Sequence, residues 1–496
     1  MNTGNIRKRI AVIGAGFSGL SAAAYAAKSG NEVHLFEKHH QPGGRARQFK
    51  TDKGYVFDMG PSWYWMPDII EGFFADFDCK ASDFFNLISL DPQFEMVFSK
   101  EKVLVPEKNE DIRELFEEIE PGAARKYDKF MQSAKFKYEV GMKDFVTKPC
   151  YNWLEFASLK IAGSAVKLDL LSNFRKYVSG YFTDPKLRSL MEFPVIFLGA
   201  SPKQIPALYS LMNYGGYVLG TKYPMGGFYQ LVLAMKKVAE KQGVIFHFNH
   251  DVQKINTENG KAVSVTVEGE NHEFDAVIAS SDYHHTETLI PETLRNYKDT
   301  YWNTRTFAPS CLIYYLGIKG KISHLKHHTL FFENELDDHI DCIYKNKKWP
   351  SEPLFYACCP SKTDPDVAPE GCENLFLLLP LAPGIHDEES VREKYLMEML
   401  KRIEKHTGET DLISSIEYKR SYCVSDFISD YNAYQGNAYG LSNTLSQTAV
   451  LKPKIRNRKI VNLFYTGQLT VPGPGVPPSV ISGKIVADEV SKLKIK

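Results

Sequence analysis

The alternation of apolar and polar residues changes period twice near the start of the chain. Ile10 to Ile13 is an unbroken apolar run, the pattern of a short strand covered on both faces. Leu20 to Ser29 is alanine-rich and predicts a helix that closes at Gly30, a residue able to take the left-handed conformation of a C-terminal cap. Val33 to Phe36 repeats the strand pattern, and Glu37 ends it. Together these form a βαβ unit. Residues 76–200 read as mainly helical, rich in aromatics and lysines. An amphipathic helix is expected over Phe228–Lys241, behind Tyr223-Pro224-Met225-Gly226-Gly227. Strands follow at Val244–Phe248, Asp251–Ile255 and Phe274–Asp282, with a tight hairpin at Asn259-Gly260. Later strands are expected at Cys311–Ile318 and Leu375–Leu381, and a lysine- and glutamate-rich helix near Ser390–His406. The last strand, NLFYTG, runs into a loop with four prolines and two glycines between Val471 and Pro478, then into an apolar helix, Ser479–Leu493.

The first βαβ unit carries chemistry in its turn. Gly14, Gly16 and Gly19 stand in a GxGxxG spacing between strand and helix. The first glycine permits the tight turn, the second lets backbone approach a pyrophosphate, and the third lets helix and strand pack closely. The helix N-terminus offers unpaired N–H groups and partial positive charge to phosphates. Glu37, 23 residues beyond Gly14, is positioned to accept the ribose hydroxyls. A dinucleotide site is therefore expected here. Gly16-Phe17-Ser18-Gly19 lacks the GxSxG spacing, so Ser18 is not read as a nucleophile.

Composition adds exclusions. The chain has 496 residues, enough for two or three domains, with 60 basic and 60 acidic side chains that cancel. That balance gives no footprint for nucleic acid. The 8 cysteines form no CxxC pair, the usage of reduced thiols in a cytosolic chain. No signal peptide is read at the N-terminus. The longest uncharged run, Gln204–Thr221, is broken by Pro206, Asn213 and Gly215-Gly216 and does not read as a membrane span. A soluble or peripheral protein is expected. The pairs His39-His40, His284-His285 and His327-His328 have no metal-ligand spacing, so no metal is expected and these histidines read as solvated or locally hydrogen-bonded.

The stretches VIGAGFSGL with Glu37, QPGGR (Gln41–Arg45), FDMGP (Phe57–Pro61), YPMGG, DAVIASSD, TDPDVAPEG and NLFYTGQLTVPGPGVP run in order over essentially the whole chain. They resemble the bacterial-type phytoene desaturases, within the flavin amine oxidase superfamily. Gln468, Leu469 and Val471 depart from the usual small-residue and histidine pattern before the Pro-Gly. The resemblance implies an α/β fold: a discontinuous Rossmann-like FAD-binding domain (1–75, 220–290 and 455–496), a mainly helical region (76–219), and an inserted α+β substrate domain (291–454). It implies FAD contacts at Gly14, Ala15, Gly16, Phe17, Ser18, Gly19, Glu37 and Lys38 in the first unit. Gly43, Gly44 and Arg45 would reach the cofactor's phosphates, Gly60 and Pro61 would line it, and Val252 would hold its adenine end through the backbone. Gly467, Gly475 and Val476 would wall the flavin, with the final helix aimed at the ring edge that becomes negative on reduction. No catalytic base is named.

The implied activity is FAD-dependent removal of hydrogens from CH–CH bonds of phytoene, giving lycopene, with a quinone or oxygen as electron acceptor. Alternatives are a relative acting on hydroxylated or shorter carotenoids, a carotene isomerase, a flavin amine oxidase, and a non-enzymatic prenyl-binding chaperone of the Rab GDP-dissociation-inhibitor type. An oil-soluble polyene substrate implies peripheral docking on the inner face of the cell membrane. Residues 151–182 are the candidate contact: Trp153, Phe156, Leu159, Leu168, Leu171, Phe174 and Val178 are mixed with Lys160, Lys167, Arg175 and Lys176, net +2. The same pattern also suits a surface helix packing its apolar face on the core.

Overall fold

The computed structural model describes residues 7–156, 168–169, 172–196 and 198–494. Its first layer is a five-stranded parallel sheet. The strands are β1 (Arg9–Ile13), β2 (Glu32–Glu37), β3 (Ile245–Phe248), β4 (Ala276–Ala279) and β5 (Leu463–Tyr465), in the order β5-β4-β1-β2-β3. Three distant stretches of chain therefore build one sheet. Side chains alternate along β1. Ile10 and Val12 join a core with helices α1 (Phe17–Lys28), α2 (Tyr229–Lys241) and α3 (Val476–Ser491). Ala11 and Ile13 face a three-stranded antiparallel sheet, Val252–Glu258, Lys261–Val267 and Glu270–Glu273. The hairpin at Asn259-Gly260 has positive φ at both residues (48° and 73°), as a tight turn of matching twist requires.

The glycines of α1 and α3 serve packing. A Cβ on Gly19 would lie 1.9 Å from the Gly14 carbonyl oxygen, and one on Gly483 would lie 2.5 Å from the Ser18 carbonyl oxygen. The final helix thus lies directly on the first, and Ser21 Oγ donates to the Val480 carbonyl at 2.7 Å. The α3 helix begins at Val476, earlier than the expected Ser479, with Pro477 and Pro478 in its first turn, where missing N–H groups cost little.

The second sheet has seven strands, in the order Ile416–Tyr422, Ser310–Ile318, Glu373–Leu381, Phe355–Cys358, His328–Phe331, Phe94–Val97 and Lys102–Val105. The pairing of His328–Phe331 with Phe94–Val97 is parallel and the rest is antiparallel. Two of its strands come from the stretch that reads as mainly helical. One face packs on the helix Glu389–Thr407 through Leu312, Tyr314, Leu375 and Leu377. The other presents Ile313, Tyr315, Tyr356 and Phe376 to an aromatic core that also holds Phe94, Phe193 and Tyr217.

Within the segment considered for membrane contact, residues 157–167 and 170–171, including Leu159, Lys160, Lys167 and Leu171, lie outside the described residues. Leu168, Phe174 and Val178 are fully buried, so these positions pack the core. Arg175 pairs with Glu192 and Asp337. Trp153 and Leu154, by contrast, are 62% and 81% exposed. Among the described residues, no helix is long and apolar enough to cross a membrane.

Candidate functional site

The three glycines of the first turn do different work in the structure. Gly14 has φ +98°, and its N–H donates to the Phe36 carbonyl at 2.8 Å, tying the turn to the end of β2. A Cβ on Gly16, the N-cap of α1, would meet nothing within 4 Å. The space above Gly16 is open to a ligand, as a pyrophosphate cradle requires. Gly43 N–H donates to the Ala15 carbonyl at 2.8 Å, so the second glycine pair lies against the first turn. Gly44 (φ +55°) sits so close that its Cβ would lie 3.4 Å from the Gly16 Cα. A Cβ on Gly60 would lie 2.6 Å from the Arg45 carbonyl oxygen, which seats 60–61 on the same loop.

Glu37 is buried and accepts hydrogen bonds from the Ala15 N–H at 2.8 Å and the His39 N–H at 3.0 Å. These bonds fix the carboxylate at the end of β2, beside the cradle. The Arg45 guanidinium lies 5.0 Å from the Tyr431 ring and donates to the Asn437 carbonyl at 3.2 Å. Its Nε is buried with no hydrogen-bond partner, a donor awaiting an acceptor. Burial lowers its pKa, and Asp282 opposes that. Burial likewise pushes the Asp282 carboxyl up, with Arg45 pulling it back.

One cavity of about 520 Å³ joins all these groups. At one end it is lined by Gly14, Gly16, Phe17, Ser18, Glu37, Lys38, Gly43, Gly44 and Arg45. Gly60, Pro61, Val252, Gly467, Gly475 and Val476 also line it, whereas Ala15 and Gly19 lie behind the wall: Gly19 packs helix on turn, and Ala15 contributes its backbone bonds. At the other end the walls are apolar, with Phe193, Leu330, Phe332, Ile340, Ile343 and Leu378. The Pro-Gly loop stands between the two ends. Gly467 (φ +110°) would bring a Cβ within 3.0 Å of Ser18 Oγ, and Gly475 (φ +110°) caps α3. With prolines at the second and third helical positions, α3 keeps few free N–H donors in its first turn, chiefly that of Val476. Its dipole still points at the cavity.

Sequence reasoning missed the chamber's far wall and the strap Asp430–Asn432 that borders the cleft. Asp430 pairs with Arg47, accepts from the Tyr422 hydroxyl at 2.8 Å and lies 3.5 Å from His39. Arg47 and His39 stand nearly four hundred positions before Asp430, and no short motif marks the pairing. Of the two readings for His327 and His328, solvated or locally hydrogen-bonded, the structure shows the second. They are 6% and 0% exposed at the start of a strand inside the second sheet, with Nδ1 2.7 Å from Thr363 Oγ1 and 2.6 Å from the Tyr356 hydroxyl respectively. Burial drives the His327 imidazole down to about 3 and His328 well below its usual value, so both are neutral. Ring nitrogens of the pair and Cys358 Sγ lie within 4.8 Å of one another.

The fold and the open glycine cradle define a dinucleotide-dependent oxidoreductase. The family model described as flavin containing amine oxidoreductase matches residues 17–491, and the chain belongs to that family. Within it the chain groups with carotenoid desaturases. It is 39% identical over 482 residues to a carotenoid 3,4-desaturase from Haloarcula japonica, covering 97% of each chain. It is 30% identical to a zeta-carotene-forming phytoene desaturase from Myxococcus xanthus, over 97% of this chain and 94% of the other. A 4,4'-diapophytoene desaturase from Staphylococcus haemolyticus is also 30% identical, over 97% and 98%. Solved structures with this fold include a redesigned putrescine oxidase (TM-score 0.62, 12% identity, 98% and 99% coverage) and an oxidoreductase from Methanosarcina mazei (TM-score 0.60, 17% identity, 96% and 98% coverage). The protein is an FAD-dependent oxidoreductase.

Proposed function

We propose that this protein is a carotenoid desaturase that introduces double bonds into a long acyclic polyene, converting phytoene toward lycopene. The observation that supports this most is the continuity of one cavity from a glycine-lined cradle to an apolar aromatic chamber. A site with that lining takes a ligand of hydrocarbon character and holds it beside the cofactor. The residues present fit FAD: an open cradle at Gly16, a fixed carboxylate at Glu37 and an unpartnered Arg45 Nε. When bound, FAD supplies the hydride acceptor that no side chain can provide. The chain's own part is alignment and exclusion of water. Phe193, Phe332 and Ile340 hold the polyene away from solvent, and the N-terminus of α3 offers partial positive charge at the wall formed by Gly475 and Val476.

A second reading is favoured by the 39% identity to a carotenoid 3,4-desaturase: the substrate is then an already conjugated carotene, desaturated near one end. Expression in a phytoene-accumulating host, with parallel feeding of lycopene and extraction of pigments, separates the two. Red lycopene supports the first, a further red shift of fed lycopene supports the second, and unchanged pigment in both overturns the desaturase reading.

Access from a membrane surface is part of the proposal, and so is reoxidation by a quinone or by oxygen at the inner face of the cell membrane. Exposed Trp153 and Leu154 support the docking. Lys454 Nζ ties the adjoining Cys150 and Tyr151 carbonyls to a segment with exposed Leu445 and Leu451. Liposome flotation of Trp153→Ser/Leu154→Ser tests it: unchanged binding removes this corner as the contact.

A further inference from the structure

Making one C=C from a CH–CH pair removes a hydride and a proton. FAD, when bound, would supply the hydride acceptor; the proton needs a separate route out of an apolar chamber. The chamber wall contains such a route. Ser62 and Tyr356 both line it. Ser62 Oγ lies 2.9 Å from the Tyr356 hydroxyl, which lies 2.6 Å from His328 Nδ1. The His328 ring is clamped by Trp63, stacked at 4.2 Å and 13°, and its Nε2 has no hydrogen-bond partner. The His327 ring is 4.5 Å away, with Nε2 also unpartnered and Nδ1 2.7 Å from Thr363 Oγ1. Ring nitrogens of the two histidines lie within 4.8 Å, a gap that one water closes. A void of about 20 Å³, room for a single water, is lined by Ser62, His327 and Cys358 but not by His328, so it places water beside His327. Thr363 is partly exposed. Hydroxyl, imidazole, imidazole and hydroxyl thus run from chamber to surface.

We propose that Tyr356 accepts the substrate proton and that His328 and His327 carry it to Thr363 and solvent. The C–H bond beside the electron-deficient carbon breaks heterolytically, and its electron pair becomes the new π bond. The proton passes to the Tyr356 oxygen as the phenol's own proton moves to His328 Nδ1. In the same concerted transfer His328 passes its Nε2 proton through a bridging water to His327 Nε2, and His327 passes its Nδ1 proton toward Thr363. The transfer leaves His328 protonated on Nδ1 and His327 on Nε2, so both imidazoles exchange back to the starting tautomers through water, and the Ser62 and Tyr356 hydroxyls rotate back, before the next turnover. Tyr356 is the catalytic residue here; His328 and His327 act through it. Burial disfavours the charged form of both imidazoles, so the proton crosses them in one concerted transfer and rests on neither.

The proposal rests on the desaturase reading, and one experiment separates them. FAD-loaded protein in liposomes is given the carotene that wild type converts, in H₂O and in D₂O. No conversion by wild type removes the desaturase reading and this one with it. Given conversion, Tyr356→Phe and His328→Gln are expected to lower product formation about 100-fold, the scale of general-base assistance, with unchanged FAD content. Wild type is expected to slow in D₂O and His327→Asn to change that isotope effect. Rates within about threefold of wild type for both variants, or one isotope effect throughout, overturn the path while leaving the desaturase intact. If either variant fails to fold, Ser62→Ala at the chamber surface and His327→Asn carry the same comparison. One equivalent of zinc or copper retained by wild type and lost in His327→Asn also overturns it, because the ring nitrogens would then be occupied.

Discussion

The two ends of the cavity are built on different principles. The cradle end is made of backbone: what matters at Gly14, Gly16, Gly44 and Gly60 is the side chain they lack. The chamber end is made of side chains, delivered by segments scattered from 62 to 439. A backbone site tolerates almost no substitution and is written in a short motif. A side-chain site is set by shape and volume, and many sequences satisfy it.

This contrast is sharpest where glycines of one motif have separate duties. Gly19→Val should have the largest effect, a loss of several kcal/mol or no soluble protein, because a side chain there meets the Gly14 carbonyl at 1.9 Å. Thermal denaturation checks it, and a stable variant would show the turn to be compliant. Gly16→Val should fold normally yet lose FAD affinity by about 100-fold or more, about 3 kcal/mol, because its side chain has room only in the cradle. Retention of yellow flavin would move the pyrophosphate elsewhere.

Gly475→Val comes next. With φ at +110° a branched side chain is strained there, and slower flavin reduction or lower flavin content in a folded protein is expected. Glu37→Ala should weaken FAD about tenfold, about 1.4 kcal/mol, by equilibrium dialysis. It also leaves the Ala15 and His39 N–H groups without their acceptor.

The smallest expected effect concerns Lys452. Its Nζ is buried without a partner behind Gly473, and burial lowers its pKa to about 7. Between that value and the usual lysine value near 10.5 the unfolded chain binds the extra proton, so this group makes stability rise with pH over that window. Lys452→Met should raise stability at pH 7 by about 1 kcal/mol and flatten the rise, measured by urea denaturation at pH 7 and 9.

The cradle was legible in sequence because its determinants are local. The elements from Ile10 to Glu37 fall within a residue or a few of expectation, since buried strands, an alanine-rich helix and a glycine spacing reinforce one another. The helix α3 starts three residues before the apolar pattern at Ser479, because Val476, Pro477 and Pro478 form its first turn, where missing N–H groups cost little. Nothing local announces that Phe94–Val97 will pair with His328–Phe331, more than two hundred residues on. The same holds for the buried histidines: their neighbours Ser62, Tyr356 and Thr363 come together only through the sheet.

The crossing of α3 over α1 has a consequence for synthesis. Ser18 and Gly483 touch across almost the full length of the chain, and the wall at Gly467–Val476 lies against the first turn. On the ribosome, strands of the seven-stranded sheet can pair before that wall emerges. On the proposed FAD site, cofactor capture waits for the last helix, and a stalled or clipped chain ending before Gly467 would display an aromatic chamber beside half a cradle. Such an intermediate would leave apolar surface of the chamber uncovered until the wall at Gly467–Val476 closes over it.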